Sequence, residues 1–257
     1  MLAGGQSLGP LLNLRLVKPA VLVDVNGIGG LAELDEMDAG LAIGALVRHR
    51  RLERDPLVAR ACPLLAEAAA QVGHVAIRNR GTFGGSLAHA DPAAELPAAV
   101  AALDAEVELR SVRGSRRLRT GDFFRAPFET AVEEGELVVG VRVPRVPDRT
   151  GQVWLELNER HGHFALVGVA VSLTLAEDGT CSEAHLAYAG VGHVPWVAAE
   201  AATLLRGAGP EAFKDAAVAA AEGCNPPSDA HGSSSYRRRL VRVLTERALA
   251  EAAARAA

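Results

Sequence analysis

Apolar and polar residues alternate most clearly in Glu106-Val107-Glu108-Leu109-Arg110 and again at Val139, Val141 and Val143. A period of two puts each apolar set on one face, so both stretches are expected to be half-buried strands. Val21-Leu22-Val23-Asp24-Val25 and Leu41-Ala42-Ile43-Gly44-Ala45 are apolar runs of strand length, and residues 56–73 read as a helix with proline in its first turn. These elements alternate as a mixed α+β layer. Further on, residues 164–175 and 184–188 are expected strands, and 197–205, 210–222 and 235–254 are expected helices. In the last of these Leu240, Val243, Leu244 and Leu249 form an apolar face opposite Arg238, Arg242 and Glu246, so its charge run reads as a solvated face. The chain changes habit at Pro144-Arg145-Val146-Pro147: glycine pairs punctuate the N-terminal side, and long apolar strands succeeded by alanine-rich helices fill the C-terminal side. A domain boundary is placed near residue 147, dividing 1–147 from 148–257.

Composition narrows the class. With 257 residues, 49% apolar and 23% charged, the chain has material for one large domain or two modest ones. A formal charge of -4 offers no dense Lys/Arg face, so nucleic acid is not an expected partner. No stretch approaches the roughly 20 apolar residues that cross a bilayer, and the start has no signal-peptide pattern, so a cytoplasmic location is expected. Cys62, Cys181 and Cys224 lie far apart and cannot supply the four thiolates of an iron–sulfur cluster or structural zinc. Any such metal centre belongs on another chain.

Candidate chemistry sits in two glycine loops, Ala3-Gly4-Gly5-Gln6-Ser7 and Thr82-Phe83-Gly84-Gly85-Ser86. A glycine pair lets backbone N–H groups approach an anion, and the following serine adds a hydroxyl, so the two loops together could clasp a diphosphate. On that view a β-branched residue at Gly84 or Gly85 would remove the ligand and leave the fold intact. Either loop alone is more often an ordinary tight turn. Neither matches a P-loop or a dinucleotide fingerprint. Ser86, His89 and Asp91 lie close in sequence, but Gly84-Gly85-Ser86-Leu87-Ala88 is not a nucleophile elbow, which argues against a hydrolase. His161 and His163 would share one side of a strand, yet no third ligand is marked nearby, and a polar surface or interface role is expected.

The wording of the loops carries more than their glycines do. Leu2 to Leu8 and the run Thr82-Phe83-Gly84-Gly85-Ser86-Leu87-Ala88-His89-Ala90-Asp91-Pro92 resemble the paired FAD loops of the flavin subunits of molybdenum hydroxylases. Asp122-Phe123-Phe124, Pro127-Phe128-Glu129-Thr130-Ala131, Gly135-Glu136-Leu137-Val138, Arg160-His161-Gly162-His163-Phe164-Ala165 and Ser228-Asp229-Ala230-His231-Gly232-Ser233 resemble later stretches of the same family, in order. The likeness covers nearly the whole chain and is nearest to the medium subunit of aerobic carbon monoxide dehydrogenase.

The resemblance implies an α+β, two-domain fold: an FAD-binding PCMH-type (vanillyl-alcohol-oxidase-like) domain, then a smaller C-terminal α+β domain with a sheet backed by helices. It implies an oxidoreductase subunit active only in complex. A large partner would carry the molybdenum cofactor and a small one the [2Fe–2S] clusters, in a dimer of heterotrimers. This chain's FAD would pass electrons to a quinone, oxygen, NAD or another acceptor. Ala3, Gly4, Gly5, Gln6 and Ser7, with Thr82, Phe83, Gly84, Gly85 and Ser86, match the loops that contact the diphosphate and ribityl chain. Asp91 and Glu95 match acidic positions that accept hydrogen bonds from flavin-chain hydroxyls, although each is equally readable as a carboxylate at a helix N-terminus. Val138 matches a position whose backbone approaches the ring, and Phe164 one where an aromatic lies against it, though an aromatic in an apolar strand is more often core. The chain departs from the pattern at Gly162-His163-Phe164, where Gly-Asp-Phe or Gly-Asp-Tyr is common, and at Leu155, where distant members have lysine. It also begins two residues before the first loop, where relatives have about one more strand–helix unit. A shortened start and a frayed first loop are therefore expected. The competing reading is a scaffold subunit that has lost FAD.

Overall fold

The computed structural model describes residues 1–257. The first loop is tied down on its N-terminal side. Leu2 pairs in parallel with Asp24, its N–H donating to Val23 O at 2.8 Å while Val25 N–H donates to Leu2 O at 3.0 Å. The expected strand at 21–25 shrinks to this one bridge, because no neighbouring strand pairs along its length, and Val21, Leu22 and Val23 stay exposed. The expected fraying is also corrected: two backbone hydrogen bonds hold Leu2. After α1 (Leu8–Asn13), the hairpin β1 (Leu34–Met37) and β2 (Gly40–Gly44) leads into α2 (His49–Arg54), α3 (Pro56–Ala61), α4 (Pro63–Gln71), α5 (Val75–Arg80), α6 (Phe83–His89) and α7 (Glu95–Ala102). The single helix expected over 56–73 is two. Pro63 has no N–H and forces Cys62 out of helical geometry, at φ -155° and ψ 68°.

Next along the chain come strands β3 (Glu106–Ser111) and β4 (Gly114–Arg119), the short α8 (Thr120–Phe123), β5 (Phe124–Ala126), β6 (Glu129–Thr130) and β7 (Leu137–Pro144). Neighbours are antiparallel in a five-stranded sheet of order β1-β2-β7-β3-β4. The alternation is realised for β3 and for Val141 and Val143, with Val107 facing Val141 across the β3–β7 pair, but a bulge sets Val138 opposite Leu109 in this core and turns Val139 to a small cluster with Val25, Leu31 and Leu46.

A second antiparallel sheet has the order β11-β10-β9-β8, built from β8 (Thr150–Leu157), β9 (Val167–Leu175), β10 (Cys181–Ala189) and β11 (Trp196–Val197). Helices α9 (Ala199–Leu205), α10 (Phe213–Gly223) and α11 (Ser234–Ala256) back it. No alternation marks β8 in the sequence because Gly151, Gln152, Val153 and Trp154 are buried consecutively. Along α11, Val241, Leu244, Ala248 and Leu249 are buried while Arg242 and Glu246 are exposed, so the solvated face holds for those two. Arg238 instead reaches the last carbonyls of α10, and Arg237 is buried, donating to Leu166 O, Gly190 O and Asp229.

The two sheets share a core. Leu64, Leu65 and Ala68 of α4 and Leu96 and Ala99 of α7 belong to one buried cluster with Trp154, Ala170, Ala187 and Ala189 of the second sheet. Polar ties run along the same seam: Leu64 N–H donates to Gln152 Oε1 at 3.2 Å, and Trp154 N–H to Glu67 Oε2 at 3.0 Å. No helix is long and apolar enough to cross a membrane.

Candidate functional site

A cavity of about 470 Å³ opens where the N-terminal loop, the end of β2, α6, the turn before α7, the start of β7 and the β8–β9 loop converge. That volume is within the range of small-molecule and cofactor sites. Ala3, Gly4, Gly5, Gln6, Ser7, Thr82, Gly84, Gly85, Ser86, Asp91, Glu95, Val138 and Phe164 all line it. Phe83 does not: its ring is fully buried in the main core. Phe164 precedes β9 rather than lying in it and is 58% exposed, so at the rim it is not a core aromatic.

The first loop carries donors without acceptors. No backbone N–H of residues 3–8 donates a hydrogen bond within the chain, while most of their carbonyls are engaged: Ala3 O by Asn26 Nδ2, Gly4 O by Gln6 Nε2, Gly5 O by Gly9 N–H and Ser7 O by Leu11 N–H. Gly5 sits at φ +71°, in the left-handed region, close to Ser7 in the right-handed one. Successive N–H groups in such a bend form an anion-binding concavity.

The second segment runs into a helix, and all its N–H groups but that of Thr82 are spent. Phe83 N–H donates to Val47 O at 2.9 Å, Gly84 N–H to Ala45 O at 2.8 Å, Gly85 N–H to the capping Thr82 Oγ1 at 3.3 Å and Ser86 N–H to Thr82 O at 3.0 Å. The expectation that both loops offer N–H groups is corrected accordingly: this segment offers hydroxyls and a close surface. A Cβ on Gly84 would lie 2.5 Å from Ala45 Cβ, so its glycine is needed for α6 to pack on β2, and a bulky residue there would disturb the fold itself. Gly4 serves the junction between the segments, since a Cβ on it would fall on the Arg80 carbonyl oxygen. Arg48 spans the same junction, donating to Arg80 O and, at 2.8 Å, to Asn26 Oδ1.

Electrostatics divide the wall. Asp91 Oδ1 accepts Ala93 N–H at 2.9 Å, closing the turn that precedes α7, so Asp91 lines the cavity from a turn and not from the helix terminus, where Glu95 stands. Glu95, in the first turn of α7, is pushed up to about 8 by burial and then by Glu156 and Asp91. Glu156, which accepts from Trp154 Nε1 and Asn158 Nδ2, is raised by burial. His49 was missed by sequence reasoning. It lies in the charged run Arg48-His49-Arg50-Arg51, which reads as solvated, yet it is buried against the cavity with Nε2 2.9 Å from Thr82 O. Burial pushes it down to about 4. Its Nδ1 has no partner in the chain. Leu155 packs on the second core and does not reach the cavity. His163 lines the cavity in the β8–β9 loop and His161 lies near His74, so neither is on a strand as expected.

Residues 1–146 match the family profile described as the FAD binding domain in molybdopterin dehydrogenase, and residues 153–252 that of the CO dehydrogenase flavoprotein C-terminal domain. The 6-hydroxypseudooxynicotine dehydrogenase complex subunit alpha of Paenarthrobacter nicotinovorans is 43% identical, with 100% of this chain and 87% of that subunit covered. The carbon monoxide dehydrogenase medium chain of Afipia carboxidovorans is 34% identical over 99% of this chain and 89% of its own. Among solved structures, carbon monoxide dehydrogenase from Hydrogenophaga pseudoflava, which lacks the Mo-pyranopterin moiety of the molybdenum cofactor, superposes with a TM-score of 0.96. It is 36% identical, covering 100% of this chain and 90% of that one.

Proposed function

This chain belongs to the family of FAD-binding subunits of molybdopterin dehydrogenases, and on that premise we propose that it seats FAD in the cavity and relays electrons within a larger complex. In this reading a small partner subunit delivers electrons from [2Fe–2S] clusters, a large partner oxidises the substrate at a molybdenum cofactor, and an external acceptor takes the electrons away. The assembly is a dimer of such heterotrimers in the cytoplasm. Residues 1–147 form the FAD domain and 148–257 the C-terminal domain. The observation that carries the reading is the run of acceptor-free N–H groups over residues 3–8 at the cavity edge.

The residues present fit the group. A diphosphate needs convergent donors, which Ala3 to Ser7 supply from the backbone and Ser7 and Ser86 from their hydroxyls. A flat ring needs an apolar slot, and Val25, Leu31, Leu137 and Val138 provide apolar wall, with Phe164 at the mouth. Bound FAD would supply the two-electron redox couple. The chain's own work is to fix the cofactor, keep water from its buried side and leave one edge open for exchange of electrons. The names of relatives span 6-hydroxypseudooxynicotine and carbon monoxide, two unlike substrates, which supports placing substrate choice on another chain.

The test is the purified complex. One noncovalent FAD per copy of this chain is expected, released to the supernatant by acid precipitation, because neither glycine segment presents a His or Cys for a covalent link. A colourless complex refutes FAD binding, and flavin that stays in the pellet refutes the noncovalent attachment. The isolated chain should oxidise no substrate, and activity of the chain alone with an artificial acceptor would overturn the relay.

A further inference from the structure

Glu95 is 3% exposed, yet it lines the cavity. The donor that reaches its carboxyl is its own backbone N–H, and no cation pairs with it. No lysine or arginine contributes to the cavity wall. The groups around it are mostly acidic or committed elsewhere. Asp91 precedes it in the turn, Glu156 lies on β8, His89 on α6, and His49 and His163 on the cavity wall. On α4, Glu67 is engaged by Trp154 N–H and Arg255. Strands β9 and β10 bring Ala170, Ala187 and Ala189 to the core shared with α7; β11 brings no titratable group, and Asp122 of α8 is exposed. A buried carboxyl in such company has no cation to compensate its charge, and a bound diphosphate would add more negative charge nearby.

We propose that Glu95 is held in the cavity as a neutral carboxylic acid and donates its O–H to an oxygen of the bound flavin nucleotide, so that cofactor and proton are retained together. This rests on FAD occupying the cavity and reverses the role expected from sequence, in which the carboxylate accepts. The free chain holds this proton up to about pH 8. Above that, binding FAD must return a proton to Glu95, and affinity falls by up to tenfold per pH unit. His49, pushed down to about 4, does not titrate in this range.

The experiment titrates FAD into the flavin-free full chain, read by quenching of flavin fluorescence, at about pH 7 and about pH 9. For the parent, Kd should be about tenfold weaker at the higher pH. Glu95→Gln keeps a neutral donor of similar shape, so its Kd at pH 7 should stay within about threefold of the parent's and the pH dependence should flatten. Asp91→Asn removes one of the negative charges that push Glu95 up, so its affinity should still fall with pH but from a lower pH than in the parent, and circular dichroism checks that each variant is folded. A parent Kd that is flat, or that tightens with pH, overturns the proposal. So does a loss of tenfold or more at pH 7 in Glu95→Gln, the mark of a required acceptor. If the parent binds FAD and either of these results is found, only the protonation role falls. If the folded parent binds no FAD, the FAD reading falls and takes the Glu95 proposal with it.

Discussion

Gly84→Ala should weaken the fold before it acts on any cofactor. The added Cβ would stand 2.5 Å from Ala45 Cβ and 2.9 Å from Ala45 Cα. Unbonded carbons settle at about 3.5–4 Å, so roughly 1 Å must be gained by lifting α6 off the end of β2. That movement strains the bonds from Phe83 N–H to Val47 O and from Gly84 N–H to Ala45 O, at 2.9 and 2.8 Å. Overpacking of this kind costs about 1–3 kcal/mol, and each weakened hydrogen bond adds up to about 1 kcal/mol. A total of about 2–4 kcal/mol lowers the melting midpoint of a chain this size by about 10 °C. The assay is thermal denaturation of the flavin-free chain by circular dichroism. Gly5→Ala is the counterpart: at φ +71° its new Cβ meets only Leu2 Cδ1, at 3.4 Å, and the strain is about 1–2 kcal/mol. Its midpoint should fall by about half as much, with the larger effect on FAD retention. An unchanged midpoint in Gly84→Ala, with flavin lost, would show that the close approach to Ala45 is not what requires glycine.

Glu95 gives a stability test that needs no cofactor. Its folded pKa lies above its ordinary value, so the stability present below the ordinary carboxylate range is lost as pH rises toward about 8. Glu95→Gln should therefore melt higher than the parent at about pH 8 and match it near pH 4, by differential scanning fluorimetry; a constant gap would contradict the sign. Asn26→Ala removes the bonds to Ala3 O and from Arg48, and should raise the FAD Kd about 3- to 10-fold with little change in midpoint, measured by fluorescence titration. Arg237→Met strips donors from the buried Leu166 and Gly190 carbonyls and breaks the ion pair to the part-exposed Asp229, so urea denaturation should show a loss of about 2–4 kcal/mol, mostly from the two carbonyls; a loss under about 1 kcal/mol would mean that solvent serves these groups.

Strands that bury one face announced themselves in the sequence, as β3 and the end of β7 did, because their pleat writes a period of two; the bulge that turns Val139 away was not legible. β8 did not, since both its faces are covered and even Gln152 is inside, committed to Leu64 N–H. The apolar run at 21–25 misled for the opposite reason: β propensity without a neighbouring strand yields only the Leu2–Asp24 bridge. Pro63 was visible, but its consequence for 56–73 depends on α4 turning to meet the second sheet. At the site, thirteen of the fourteen expected residues line one cavity, because the two glycine segments were legible as wording; Phe83 alone is turned into the core. Which segment keeps free donors was not legible. That depends on Ala45 and Val47 presenting carbonyls to α6, a long-range pairing, and the same kind of pairing hides His49 inside a basic run.

A cavity wall without lysine or arginine also fixes how FAD affinity should respond to ionic strength. A nucleotide held by surface cations loses affinity as salt screens them, over a Debye length of about 8–10 Å at ordinary concentrations. Here the contacts available to the diphosphate are backbone dipoles and hydroxyls at hydrogen-bonding range, well inside that length. Arg48 and Arg78 act on His49 of the wall from behind it, so added salt should weaken FAD binding only mildly, by screening these outlying cations and not the contacts themselves. A chain of this design should hold its loaded cofactor through shifts in salt that would empty a cation-lined site.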